Sequence, residues 1–287
     1  MLLLTGATGN IGRELVRQLD AQQAEFRIFL RDPARAADLP GRAERVVGDL
    51  DEPHTLTAAF HGVDRLFLLP AGIGIAHTRH AIAAARAAGV RRIVHLSSFN
   101  VLGTPMPAMG RWHHEREVLV RASGIPATLL RPGAFMTNAL DWLPTLREAG
   151  YVLDPVGPGR YAPIHPADIA AVAALALTED GHEGGEYSLT GAETFTLAEQ
   201  VRVLADAIGS PIEVRSATTP AEAVRFRFPG GAPPALAEAL VEGLELMRAD
   251  TAGLRTETVE RLLGRKPRTF ADWCAANADV FRRALGD

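Results

Sequence analysis

Leu2-Leu3-Leu4-Thr5-Gly6-Ala7-Thr8-Gly9-Asn10-Ile11-Gly12 runs from an apolar, strand-like start through a glycine-rich turn into the amphipathic series Ile11, Leu15, Leu19. A strand entering a helix through glycines at this spacing is a phosphate cradle. Gly6 takes a backbone conformation closed to other residues, Gly9 leaves room for a pyrophosphate, and Gly12 lets the helix pack closely on its strand. Helix N-termini expose amide groups without intrahelical acceptors, and the macrodipole there favours an anion. Thr8, Asn10 and Ile11 belong to the same cradle.

The next apolar run, Phe26-Arg27-Ile28-Phe29-Leu30, ends in Arg31-Asp32-Pro33-Ala34-Arg35. A dinucleotide fold places its ribose-reading residue here: an acidic side chain suits the hydroxyls of NAD, an arginine the 2′-phosphate of NADP. Arg31 and Arg35 favour NADP (NADPH), while Asp32 leaves a ribose contact open. Further strand-like runs follow at 45–47, 65–69, 92–96 and 127–130, separated by helical patterns such as 77–88, which stops at Gly89. This alternation predicts an α/β, doubly wound Rossmann-type parallel sheet. Beyond Gly133 prolines and glycines cluster, and a smaller, mainly helical C-terminal substrate lobe is expected. The division expected is 1–133 with 164–194 for the dinucleotide-binding domain, and 134–163 with 195–287 for the lobe. Helix 166–178 and strand 186–189 return to the sheet.

The chain has 287 residues, 47% of them hydrophobic, and a formal net charge of −4. That size supports a large buried core, and the charge argues against a nucleic-acid partner. No apolar run is long enough to span a bilayer and the N-terminus lacks a basic leader, so the expectation is a cytoplasmic protein acting on a small molecule away from the membrane. A homodimer is left open. Cys274, the single cysteine, excludes an internal disulfide and reads as a small core residue beside Trp273. His77 and His80 share a helix face, but with no carboxylate nearby they read as surface histidines, and no metal site is expected.

The segments Thr5 to Gly12, Arg31-Asp32-Pro33, Gly48-Asp49-Leu50, Ser97-Ser98, Leu130-Arg131-Pro132-Gly133 and Ala167-Asp168-Ile169-Ala170 together resemble the NmrA-like, atypical branch of the short-chain dehydrogenase/reductase family. That branch includes quinone oxidoreductases, triphenylmethane reductases and redox-sensing regulators. The resemblance implies that Asp49 and Leu50 hold the adenine, that Leu69 and Pro70 flank the ribose and pyrophosphate, and that Pro132 to Phe135 lie near the nicotinamide. Asp49 also reads as a turn residue.

Most members of the wider family use a tyrosine four residues ahead of a lysine, which lowers the phenol pKa. The only lysine here is Lys266, and the corresponding region, Gly110-Arg111-Trp112-His113-His114-Glu115-Arg116-Glu117, sets Trp112 and Arg116 at the dyad spacing. His113 with Glu117 one helical turn on offers an imidazole oriented by a carboxylate, or else an exposed charged pair. His113 and Ser97 are the catalytic candidates. Ser97, at the carboxyl edge of its strand, orients a substrate oxygen, bonds the nicotinamide carboxamide, or makes a strand-end bond to backbone. Phe99, Met136, Trp142 and Tyr161 are candidate substrate contacts, equally readable as core. The function expected is NADPH-dependent hydride transfer to a conjugated, quinone-like acceptor without the dyad. Two alternatives stay open: an NADP-binding redox sensor, and a biosynthetic reductase or isomerase with a narrow substrate.

Overall fold

The computed structural model describes residues 1–249 and 253–286. Strand β1 is Leu2–Leu4, and the glycine turn feeds α1, Asn10–Ala21, which buries Ile11, Leu15, Val16 and Leu19. Then come β2 Phe26–Leu30, β3 Glu44–Val47, α2 Leu56–Phe60, β4 Arg65–Leu68, α3 Ala76–Ala88, β5 Arg92–Leu96, α4 Ala108–Ala122 and β6 Ala127–Pro132. They are followed by α5 Leu143–Ala149, β7 Tyr151–Asp154, α6 Pro166–Thr178, β8 Glu186–Leu189, α7 Leu197–Ile208 and β9 Glu213–Ser216. Helices α8 Pro220–Arg227, α9 Pro234–Ala249, α10 Thr258–Leu263 and α11 Phe270–Leu285 complete the chain. The chain forms two compact units: Met1–Met106, Gly110–Pro132 and Pro166–Ser188 in one, Pro107–Met109, Gly133–His165 and Leu189–Asp287 in the other.

The first unit is built on a seven-stranded sheet in the order β3-β2-β1-β4-β5-β6-β8. Its strands from β3 to β6 pair in parallel. Strand order reverses between β1 and β4, the switch point outside which open α/β sheets bind ligands. Alternation along the strands separates two faces. Leu66, Leu68, Ile93 and Leu129 bury themselves with Ala81, Ile82 and Val120 of α3 and α4. On the opposite side Arg65 and Arg92 reach the C-terminal carbonyls of α6, those of Leu177 and Ala176, where the helix dipole favours a cation. Helix α3 ends at Gly89, whose φ of 74° is a left-handed cap that glycine accepts without strain.

The second unit packs Met136, Trp142, Leu204, Trp273 and Phe281 into its own core, with the rings of Phe270 and Trp273 stacked at 5.7 Å. Its two long core helices start with capping boxes, Thr196 with Glu199 and Thr269 with Asp272, satisfying first-turn amides. Sequence reading missed β7. Four residues between Gly150 and Pro155 carry no periodicity to detect, and their partner β9 lies far along the chain, Tyr151 facing Glu213 and Leu153 facing Arg215. The Arg215 guanidinium sits 4.1 Å over the Tyr151 ring, a cation–π contact joining the two strands. Cys274 is fully buried, and burial pushes its thiol up to about 12, so it is core and no nucleophile near neutral pH.

Candidate cofactor and active site

The cradle stands at the end of β1. Gly6 has φ 69°, and its carbonyl accepts the Gly9 amide at 3.1 Å, closing the turn. A Cβ on Gly9 would meet only the Gly6 carbonyl, at 3.4 Å, so the face over the first turn of α1 is open. Gly12 differs: a Cβ there would lie 2.1 Å from the Gly6 carbonyl and 2.7 Å from the Ala7 Cα. What Gly12 admits is therefore the loop's own backbone, rather than the strand as the sequence suggested. Ile11 is buried, so it can serve an anion only through its amide. The residues present fit a bound pyrophosphate. Gly9→Val is expected to fold, because φ −85° and ψ 176° suit a β-branched residue, and to lower dinucleotide affinity at least roughly a hundredfold. Normal binding in a calorimetric titration of that variant would place the cradle elsewhere.

Thr5 ties the cradle to the end of β4, its hydroxyl oxygen accepting the Leu69 amide at 2.8 Å. The Leu69 side chain lies 3.1 Å from where a Gly6 Cβ would be, so Leu69 walls the turn, with Pro70 buried behind it. Asp32 is committed locally: its carboxylate caps the Pro33–Ala36 turn by accepting the Ala34 amide at 2.9 Å. Arg31 and Arg35 are exposed beside it. Arg13, which the sequence reading passed over, joins the two features. Its guanidinium donates to the Thr8 carbonyl at 3.1 Å and the Arg35 carbonyl at 2.8 Å, and pairs with Asp38. The signal available was a basic residue directly after Gly12.

Asp49 is a turn residue, its carboxylate accepting the Asp51 amide at 3.1 Å, and Leu50 is 7% exposed in the core. His77 and His80 are half-buried, which corrects their reading as surface groups without a nearby carboxylate. His77 Nε2 lies 2.8 Å from Asp51 Oδ1 and His80 Nδ1 lies 2.7 Å from the Leu50 carbonyl, fastening α3 to the loop after β3. Asp49, Asp51 and His77 bring ligand-type atoms within 4.8 Å of one another, an arrangement also common on surfaces without an ion.

The expected His113–Glu117 couple is replaced by a different network. Glu117, 0% exposed, accepts the Ser97 hydroxyl at 2.6 Å and Arg131 through Nε at 2.8 Å and Nη2 at 2.7 Å. Arg121 lies 3.1 Å from the same carboxylate, and Arg131 also donates to Glu186 at 2.6 Å. Burial pushes the Glu117 carboxyl up, but the Arg131 and Ser97 bonds outweigh it and hold the group below the usual carboxylate range. The Ser97 hydroxyl is thus engaged with a buried carboxylate rather than with backbone.

Burial drives His113 down to about 4; Arg116 pushes it the same way and Glu117 opposes both. The reading of an imidazole made basic by its carboxylate is corrected: near neutral pH His113 is uncharged, and its Nδ1 is buried without a hydrogen-bond partner. His95 on β5 is also fully buried, its Nδ1 3.2 Å from the Leu68 carbonyl and its Nε2 unpartnered. Arg116, buried on α4, donates from Nε to the Gly74 carbonyl at 2.8 Å and from Nη2 to the Gly72 carbonyl at 2.5 Å.

Among the candidate substrate contacts, Met136 (2% exposed) and Trp142 (8%) lie inside the second unit's core, with Tyr161 packed against it, which corrects their reading as open pocket walls. Burial lifts the Tyr161 phenol to about 12, with a bond to Gln200 opposing it. Phe99 and Phe135 are half-buried, Phe99 in the first unit and Phe135 bridged to Ile164 in the second, and Pro132 is buried at the end of β6.

Residues 6–180 match the family described as NAD(P)H-binding. The chain is 38% identical to a (4-alkanoyl-5-oxo-2,5-dihydrofuran-3-yl)methyl phosphate reductase of Streptomyces griseus, over 98% of this chain and 99% of that one. It is 37% identical to an NAD(P)H azoreductase of Xenophilus azovorans, over 99% and 100% of the two chains. Among solved structures, the NADPH-dependent quinone oxidoreductase of Escherichia coli complexed with NADPH superposes with a TM-score of 0.80 at 28% identity, covering 96% of this chain and 99% of that one. The cradle, the strand order and these likenesses agree: the chain belongs to the NAD(P)H-binding family and is an NAD(P)H-dependent oxidoreductase.

Proposed function

We propose that this protein uses NADPH to reduce a small, conjugated, electron-poor acceptor of the quinone type. The observation that carries the cofactor choice is Asp32, whose carboxylate is spent on capping its own turn while Arg31 and Arg35 stand exposed beside it. When bound, NADPH supplies the hydride. The first-turn amides that follow Gly9 would hold the pyrophosphate, and Arg31 with Arg35 the 2′-phosphate. Asp49 and Leu50 would border the adenine, Leu69 and Pro70 the ribose, and Pro132 the nicotinamide end. A charge-assisted phosphate contact contributes a kilocalorie or more. Arg31→Ala is therefore expected to erase most of a roughly tenfold preference for NADPH over NADH in fluorescence titrations. Equal affinities in the unmodified protein would sink the assignment.

The acceptor class follows from what the α4 region offers. The Ser97 hydroxyl and the Glu117 carboxylate are bound to each other, and His113 is neutral, so no group there is poised as a charged acid. A ketone needs such help as its oxygen develops charge, whereas a conjugated acceptor delocalises the arriving electron pair. The relatives' names agree in kind: an oxo-dihydrofuran bearing an alkanoyl group, an azo compound and a quinone each spread that charge. In this reading the proton completing reduction comes from water. His113→Gln is expected to keep turnover within about threefold of the unmodified protein, against the roughly hundredfold loss typical of a positioned acid. A loss of that larger size in a folded variant would return the proton to His113. The decisive experiment offers the protein NADPH with quinones, azo dyes and conjugated enones, followed at the nicotinamide absorbance. NADPH binding without turnover of any would favour a redox sensor.

A further inference from the structure

We infer that Arg116 is a positioning residue for the dinucleotide: its guanidinium clamps the loop after β4, residues 69–75, so that the loop forms one fixed wall of the cofactor groove. The inference rests on the cofactor reading above. Arg116 is 3% exposed, and among the described residues no carboxylate forms an ion pair with it. Its hydrogen bonds go instead to two carbonyls of one loop, Gly72 and Gly74, which lie outside any strand or helix. Glu115 offsets the burial of this guanidinium only by longer-range attraction, so the close compensation comes from two backbone acceptors of one loop.

That segment has little else to fix it. Gly72 and Gly74 have φ of 68° and 97°, nothing would touch a Cβ on either, and Ile73 between them is 46% exposed. At its upstream end Thr5 and Gly6 seize Leu69, so the loop leaves directly from the phosphate cradle. At its downstream end α3 begins. Arg116 thus pins the middle of a glycine-rich span whose first residue already walls the cradle. The planar fork suits this duty, since two donors at fixed spacing orient two carbonyls at once, which a single ammonium does less well. Arg116 occupies the lysine place of the dyad spacing, but its contacts are to the loop carbonyls.

The test pairs amide hydrogen exchange of the 69–75 peptide in the unliganded protein with NADPH titration by fluorescence. Arg116→Met should speed exchange in that peptide at least roughly tenfold, with the rest of α4 unchanged, and weaken NADPH roughly tenfold, the scale of losing a charge-assisted bond. Arg116→Lys should recover part of both. A folded Arg116→Met protein with unchanged loop exchange and unchanged NADPH affinity overturns the clamp. If Arg116→Met does not fold, Gly74→Ala decides, because a side chain at φ 97° displaces the carbonyl without touching α4. It should reproduce both effects, and its silence in both overturns the inference. Failure of the unmodified protein to bind NADPH would remove the cofactor reading and the affinity half of this inference together, leaving exchange in Arg116→Met to judge the clamp.

Discussion

Glu117→Ala is expected to destabilise the protein by about 3–5 kcal/mol, the range for removing one partner of a buried ion pair. The reason is what the change leaves behind. Arg131, 8% exposed, would lose both bidentate bonds and keep only Glu186 at the rim, and the Ser97 hydroxyl would lose its acceptor. Glu117 also ties α4 to Ser97, directly after β5, and to Arg131 of β6, so the loss spreads over the carboxyl edge of the sheet. Glu117→Gln should cost less, since an amide oxygen still accepts from Ser97 or Arg131. A double change to Leu at 117 and Met at 131 should recover much of the single-variant loss, because burying neither charge avoids the desolvation of both. Urea unfolding of the four proteins measures this. A loss below about 1 kcal/mol for Glu117→Ala would mean that water replaces the carboxylate and that the network is a surface feature.

Stability is expected to fall steeply as pH drops from 7 to 5. His95 is held at about 3, mainly by burial and next by His113, and His113 is held at about 4. Both folded values lie below the unfolded 6.5, so between those limits the unfolded chain binds the extra protons and acid favours unfolding. The full stability is present above pH 6.5 and is lost progressively below it, until the folded histidines themselves protonate. Each pH unit of displacement is worth about 1.4 kcal/mol, so at pH 5 His95 alone removes about 2 kcal/mol, and half-buried His113 somewhat less. Against a typical total of about 5–15 kcal/mol that is a large fraction. Glu117 adds to the loss at lower pH, because its depressed folded pKa stabilises only while the carboxylate stays ionised. His95→Gln should remove about half of the slope between pH 7 and 5. An unaltered slope in that variant would show that the buried imidazole does not govern acid stability.

The parts legible in the sequence were those with short-range causes. The cradle, the Gly89 cap and the helix over 166–178 are each set by residues within a turn of one another, and their spacing shows them directly. The partners of Glu117 were not legible. Helical spacing put His113 on its face, but Ser97 comes 20 residues earlier, Arg131 14 residues later, and each reaches Glu117 only because β5 and β6 are adjacent. The burial that neutralises His113 is likewise a property of the assembled layer rather than of the helix. Met136 and Trp142 looked alike as pocket wall and as core, since an apolar stripe has the same period in both settings; only their place in one core cluster with residues of α7 and α11 decides it.

Arg13 has a consequence for anyone wishing to change the coenzyme this protein uses. If the 31–35 turn reads the 2′-phosphate as proposed, exchanging it for one that suits the free 2′-hydroxyl of NAD is the obvious edit, and it treats discrimination as a module. The Arg13 side chain makes it inseparable from the grip on the shared diphosphate, because one guanidinium is bonded to Thr8 in the cradle and to Arg35 and Asp38 in the turn. A transplanted turn that shifts those two acceptors also slackens the cradle, so a swap would lower affinity for both coenzymes before it altered the ratio between them. Redesign has to carry residues 13, 35 and 38 together.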